Sequence, residues 1–103
     1  VTEKEQLAIV AIMEDPSDST VLPGMANPRD FSSFDFSDWP AKLFDGRTLK
    51  NCMFYRENEP HAPLFPPDVK DMTLVRVNAD NRLLPNGAKL DGSCNKQLKC
   101  FPA

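Results

Sequence analysis

Beginning at Phe34, a large apolar residue returns at every fifth place. The series runs Phe34, Trp39, Phe44, Leu49, Phe54 and then, past Glu59, Leu64, Val69, Leu74, Ala79 and Leu84. Carried on through Lys89 to Cys94, eleven of its thirteen positions are apolar, in a chain whose overall hydrophobic fraction is 41%. A helix repeats every 3.6 residues and a strand every two, so neither carries its apolar side chains at this interval. A chain wound into short faces, with one inward side chain per face, does. The series therefore predicts a mainly β protein with an N-terminal helix, its body a short β solenoid of five-residue faces. The second inward position, two residues earlier, fits at Ser32, Ser37, Cys52, Ala62, Val77, Gly87 and Gly92. It is charged at Lys42, Arg47, Glu57 and Arg82, and an unpaired charge inside would be costly. The alternative is a small α+β domain with an ordinary antiparallel sheet. Its strands would be Thr48–Tyr55 and Met72–Val77, with turns at Asp45-Gly46, Asn86-Gly87 and Asp91-Gly92.

The 103 residues fit one domain. Thr2 and Glu5 have the spacing of a capping box ahead of the apolar run Leu7–Met13. We read residues 1–15 as a helix ending before Pro16, with a buried strand as the alternative. The run is apolar all round, so such a helix needs cover on most sides, from the rest of the fold or from another subunit. Residues 16–33, with Pro16, Pro23-Gly24 and Pro28, read as a connector that wraps the core or orders against a partner. Residues 34–103 form the β-rich body, in which Pro60, Pro63, Pro66 and Pro67 mark an irregular excursion.

The net charge of −3 conceals an imbalance. Residues 1–38 hold eight acids and two bases, whereas residues 39–103 hold seven acids and ten bases. Such asymmetry can orient a protein on a partner or simply solvate its surface. No apolar run is long enough to span a membrane, and the first residues do not read as a signal peptide. Three cysteines are poor material for a secreted disulfide scaffold. The expected location is accordingly the host cell cytoplasm, or alternatively the virion, for the reason that follows.

The segment from Phe65 through Pro66, Pro67 and Asp68 to Asn81, followed by Leu84-Pro85-Asn86-Gly87 and the basic stretch Lys89 to Lys99, resembles small uncharacterised proteins of tailed bacteriophages and prophages. The resemblance covers about residues 65–100. The same stretch is similar to pentapeptide-repeat proteins, in degenerate form. This implies a bacteriophage context and a coiled β segment, and brings no catalytic residues. Some pentapeptide-repeat proteins imitate DNA with an acidic rod; here the corresponding region is net basic, which removes that electrostatic basis.

Each chemical constellation has a plainer reading beside it. Cys52, His61, Cys94 and Cys100 have the donor types of a zinc site but not the close cysteine spacing of a knuckle. The plainer reading is that Cys52 and Cys94 are small buried hydrophobes and His61 a loop residue. Asp35, Asp38 and Asp45 invite a paired-carboxylate reading; exposed surface acids are the plainer one. Arg76, Arg82, Lys89, Lys96 and Lys99 compose a basic face. Nucleic-acid contact through it is not expected, since interleaved aromatics are few. Phe31 and Phe36, surplus to the inward series, are candidate interface anchors with Asp35 and Asp38 as an acidic rim; the alternative places them in the core.

These residues point to a non-catalytic accessory protein that binds and modulates a host protein. The alternatives are a structural virion component, such as a head or tail subunit, and a small zinc- or thiol-dependent enzyme. No cofactor is expected. The partner would be another protein, with a homo-oligomer as a further possibility and no membrane.

Overall fold

The structure is a computed structural model that describes residues 2–55, 62–79, 82–86, 88–91 and 99–100. Helix α1 spans Glu3–Glu14. Its capping box is complete: Thr2 Oγ1 accepts from the Glu5 N–H, and the Glu5 carboxylate accepts from the Thr2 N–H. Asp15 ends the helix in an extended conformation ahead of Pro16. Only Val10 and Met13 on this helix are fully buried, and α1 packs on β1 (Thr48–Lys50) and on a short 3₁₀ turn at Ala41–Leu43.

Among the described residues, six strands of two or three residues follow, in two parallel sheets. β1 lies beside β3 (Thr73–Val75), which lies beside β5 (Lys89–Asp91). β2 (Ala62–Pro63) lies beside β4 (Arg82–Leu84), which lies beside β6 (Lys99–Cys100). Parallel bridges joining Asp30 to Met53 and Met53 to Asn78 make a further rung. The register of the first sheet sets Leu49 opposite Leu74 and Leu74 opposite Leu90.

This arrangement corrects the expected fold class. The molecule is a small α+β fold, not a mainly β protein, and its sheets neither close nor wind as a solenoid. A solenoid needs equal coils. Here the loop from β1 to β3 is much longer than that from β3 to β5, and the helix and the connector supply part of the core. The alternative, a small α+β domain, has the right class but the wrong sheet, since every strand pair among the described residues is parallel, not antiparallel. The strands at Thr48 and Thr73 are shorter than the runs Thr48–Tyr55 and Met72–Val77.

A left-handed corner at each end of the strands explains their brevity. Gly46 (φ 71°) stands two residues before β1 and Asp71 (φ 59°) two residues before β3. Asn51 (φ 56°) and Arg76 (φ 52°) each follow the last residue of the same two strands. Each positive φ turns the chain out of the sheet after three extended residues. Gly46-Arg47-Thr48-Leu49-Lys50-Asn51 and Asp71-Met72-Thr73-Leu74-Val75-Arg76 are thus two copies of one local design. Gly87 and Gly92 bracket β5 at matching sequence positions, outside the described residues.

The five-residue series does mark interior positions: Phe44, Leu49, Phe54, Leu64, Val69, Leu74, Ala79 and Leu84 are all buried. They share the core with residues off the series, among them Val10, Met13, Phe31, Phe36, Leu43, Phe65 and Met72. Phe34 and Trp39, which begin it, are only partly buried. The Phe36 ring is the hub. It stacks on Phe65 at 5.9 Å between centroids and meets Trp39, Phe44 and Phe54 edge-on at 4.8, 5.9 and 6.3 Å. Edge-on and offset pairs of this kind add about 0.5–1.5 kcal/mol each beyond area burial.

Two arginines brace the irregular chain. Arg29 donates to the carbonyls of Ile12, Met13, Asp15, Asp18, Lys50 and Asn51, so one guanidinium ties the end of α1, the turn after it and the end of β1 together. It also sets a positive charge at the C-terminus of a helix with no base in its own last turn. Arg82 is 1% exposed. It donates to the carbonyls of Ser32, Phe34 and Phe54, which replaces the water lost on burial.

Candidate functional site

Helix α1 leaves an uncovered apolar face. Ala8, Ile9 and Ile12 form one wall of a groove of about 450 Å³, and Leu22, Pro23 and Phe34 form the other, with Glu5 at the edge. Ile9, Ile12, Leu22 and Phe34 are partly buried hydrophobics packed against the core. Nearby on the chain, Leu7 (40%) and Val21 (53%) are exposed. The groove exists because the run Leu7–Met13 is apolar all round while the fold fully covers only Val10 and Met13.

The connector that makes the far wall is held in shape by local bonds. Asp15 Oδ1 accepts from the N–H and hydroxyl of Ser17, and Asp18 Oδ1 accepts from those of Thr20. Met25 Sδ accepts from the Leu22 N–H at 3.1 Å, and Ser33 Oγ donates to Gly24 O. These bonds hold the Asp15 and Asp18 carboxyls below the usual aspartate range, mainly through the Ser17 and Thr20 hydroxyls. The Glu5 carboxyl is likewise lowered, first by the Thr2 backbone N–H and then by its hydroxyl. The groove therefore carries negative charge at neutral pH from Glu5, the one acid of its lining. Two other acids of the helix are engaged: Glu3 pairs with Lys42 and Glu14 with Arg47, both at 2.8 Å. Lys4 is the single base of α1.

The anchors expected from sequence are placed differently. Phe31 and Phe36 are 0% exposed and belong to the core, so they are not interface residues. The Phe31 N–H donates to Met53 O and the Phe36 N–H to Leu64 O, and these bonds dock both residues against the body. The aromatic that does reach the groove is Phe34. Asp35 and Asp38 are exposed, with Asp35 Oδ1 accepting from the Ser37 N–H. Of the basic set, Arg76 and Lys89 are exposed, whereas Arg82 is buried and leaves that face. Lys96 lies outside the described residues, as do the side chain of Lys99, His61, Cys94 and the side chain of Cys100.

Cys52 is buried, its Sγ 3.4 Å from an Arg29 nitrogen and 3.3 Å from Lys50 O. Burial pushes its pKa up to about 12, against a smaller downward pull from Arg29. It is a neutral thiol at physiological pH and a poor nucleophile. Among the described residues, no group of three or more His, Cys, Asp and Glu side chains is placed to hold a metal, and no helix is long and apolar enough to cross a membrane.

Sequence reasoning singled out neither Arg29 nor the α1 groove. The only available signal for Arg29 was its isolation: with Lys4 it is one of two bases in the first 38 residues. Comparison with protein-family models, with curated proteins and with solved structures finds no match. The groove is therefore interpreted from its own geometry and charge.

Proposed function

We propose that this protein acts by binding, and that it grips an apolar segment of another protein, flanked by Lys or Arg, in the groove between α1 and residues 22–34. The observation that carries this reading is an apolar groove with Glu5 at its edge, left open beside the run Leu7–Met13, which is apolar on every side. An apolar anchor removes its surface from water, and a basic flank meets Glu5 at the groove edge. In keeping with the resemblance to phage proteins, we take the partner to be a host protein whose activity the binding alters, without catalysis by this chain.

The test is affinity purification from the bacterial host with the wild type and with Ala8→Lys, followed by cross-linking and mass spectrometry. Ala8 is exposed and lines the groove, so a lysine there places charge in the docking face without disturbing the core. A stoichiometric host protein lost with A8K, and cross-linked to α1 through an apolar segment with basic flanks, supports the proposal. Equal capture by both forms, recovery only with particle proteins, or self-association through the groove contradicts it.

A further inference from the structure

A second concavity, of about 400 Å³, opens where the strands end, and Asn27, Asp30, Asn51 and Arg76 share its lining with the apolar Pro28 and Met53, over the Arg29 brace. Arg76, like Arg29 and Asn51 beside it, is left-handed, and it differs from Arg29 in what its side chain binds. It occupies a left-handed corner (φ 52°), a conformation that glycine adopts freely and that Gly46 adopts at the start of β1. A bulky residue there strains the backbone. Unlike Arg29 and Arg82, its side chain braces no carbonyl among the described residues. Its one side-chain bond is from Nε to Asn51 Oδ1, at 2.8 Å. That bond fixes the plane of the guanidinium and leaves its two terminal amino groups available. Arg76 is exposed, so its charge keeps access to solvent. Asp30 is the single acid of the lining, and its Oδ1 accepts from the Ser32 N–H.

We propose that this cleft binds a small molecule through an oxyanion, a phosphate or a carboxylate, held by the terminal amino groups of Arg76, with Asn27 and Asn51 as hydrogen-bonding partners for the rest of the ligand. The planar, pre-oriented guanidinium matches an oxyanion's geometry, and the volume suits a small ligand. The site is distinct from the α1 groove and does not depend on it.

The test uses the full chain, with sodium phosphate and sodium acetate titrated separately at constant ionic strength against sodium chloride, read by NMR at the Arg76 Nε–H and the neighbouring backbone amides. Arg76→Gly suits the corner and removes the whole side chain with its guanidinium; Arg76→Lys keeps the charge but loses the fork. A saturable shift with phosphate or acetate, weakened at least about tenfold in R76G and also reduced in R76K, supports the proposal, and the stronger of the two anions names the ligand's group. No saturable shift with either anion overturns it, as does the same shift in R76G or one that chloride reproduces.

Discussion

The interior around Phe36 and the outer face of α1 are built from equally apolar residues and end in opposite states. Around Phe36 the loops close on five rings, so Phe31, Phe36, Phe44, Phe54 and Phe65 are 0% exposed. On α1, Leu7 and Ala8 are exposed and Ile9 and Ile12 only partly covered. Hydrophobicity alone does not say which apolar residues a chain will bury. What decides is whether the backbone can bring a second layer over them. The body has two parallel sheets and a folded connector to do so, and the helix has only one side against them. The interior thus serves stability, and the helix face is the one we propose for a partner.

Substitutions should separate these two roles sharply. Phe36→Ala removes the ring that joins five others and is expected to cost about 3–5 kcal/mol, read as a lowered urea midpoint. Arg82→Met keeps bulk but leaves three carbonyls without this donor, with an expected cost of about 3 kcal/mol. Arg29→Gly keeps the left-handed backbone free of strain and loses the brace between α1 and β1; a loss of roughly 2 kcal/mol is expected, with the earliest hydrogen exchange at the end of α1. Ala8→Lys on the open face should change stability by no more than about 0.5 kcal/mol while abolishing partner capture. If A8K unfolded the chain as F36A does, the division between interior and docking face would collapse.

The smallest expected effect is a pH dependence at the two ends of α1. Glu5, Asp15 and Asp18 have pKa values lowered on folding. Their contribution is present above the ordinary carboxylate pKa and is lost as pH falls through the lowered folded values. Acid titration should therefore loosen the turn at 15–20 and the cap of α1 below about pH 4. Ser17→Ala and Thr20→Val should reduce that response, which amide exchange at these residues would show.

The sequence made some of this legible and hid the rest for identifiable reasons. The capping box and Pro16 located α1, because both act within a few residues. The five-residue spacing located interior positions from Phe44 to Leu84. It did not reveal the fold, because inward direction recurs at left-handed corners without the coils being equal. The triplet centred on Leu49, Leu74 and Leu90 was the better signal, with a corner residue, Gly46 or Asp71, ahead of the first two. Phe31 and Phe36 were misplaced because which of two nearby aromatics faces in depends on backbone bonds to Met53 and Leu64, far away in the chain. Arg82 read as surface charge for the same reason: its partners are carbonyls from Ser32, Phe34 and Phe54.

The most direct test of the docking role is photo-cross-linking in host cells, with the probe at Ala8 and, as a control, at Asp68 on the exposed turn before Val69. The account predicts one dominant product from position 8, joined to an apolar segment bordered by Lys or Arg, and little from position 68. Equal labelling from both positions, or a product at position 8 joined to an acidic or wholly polar segment, would contradict it.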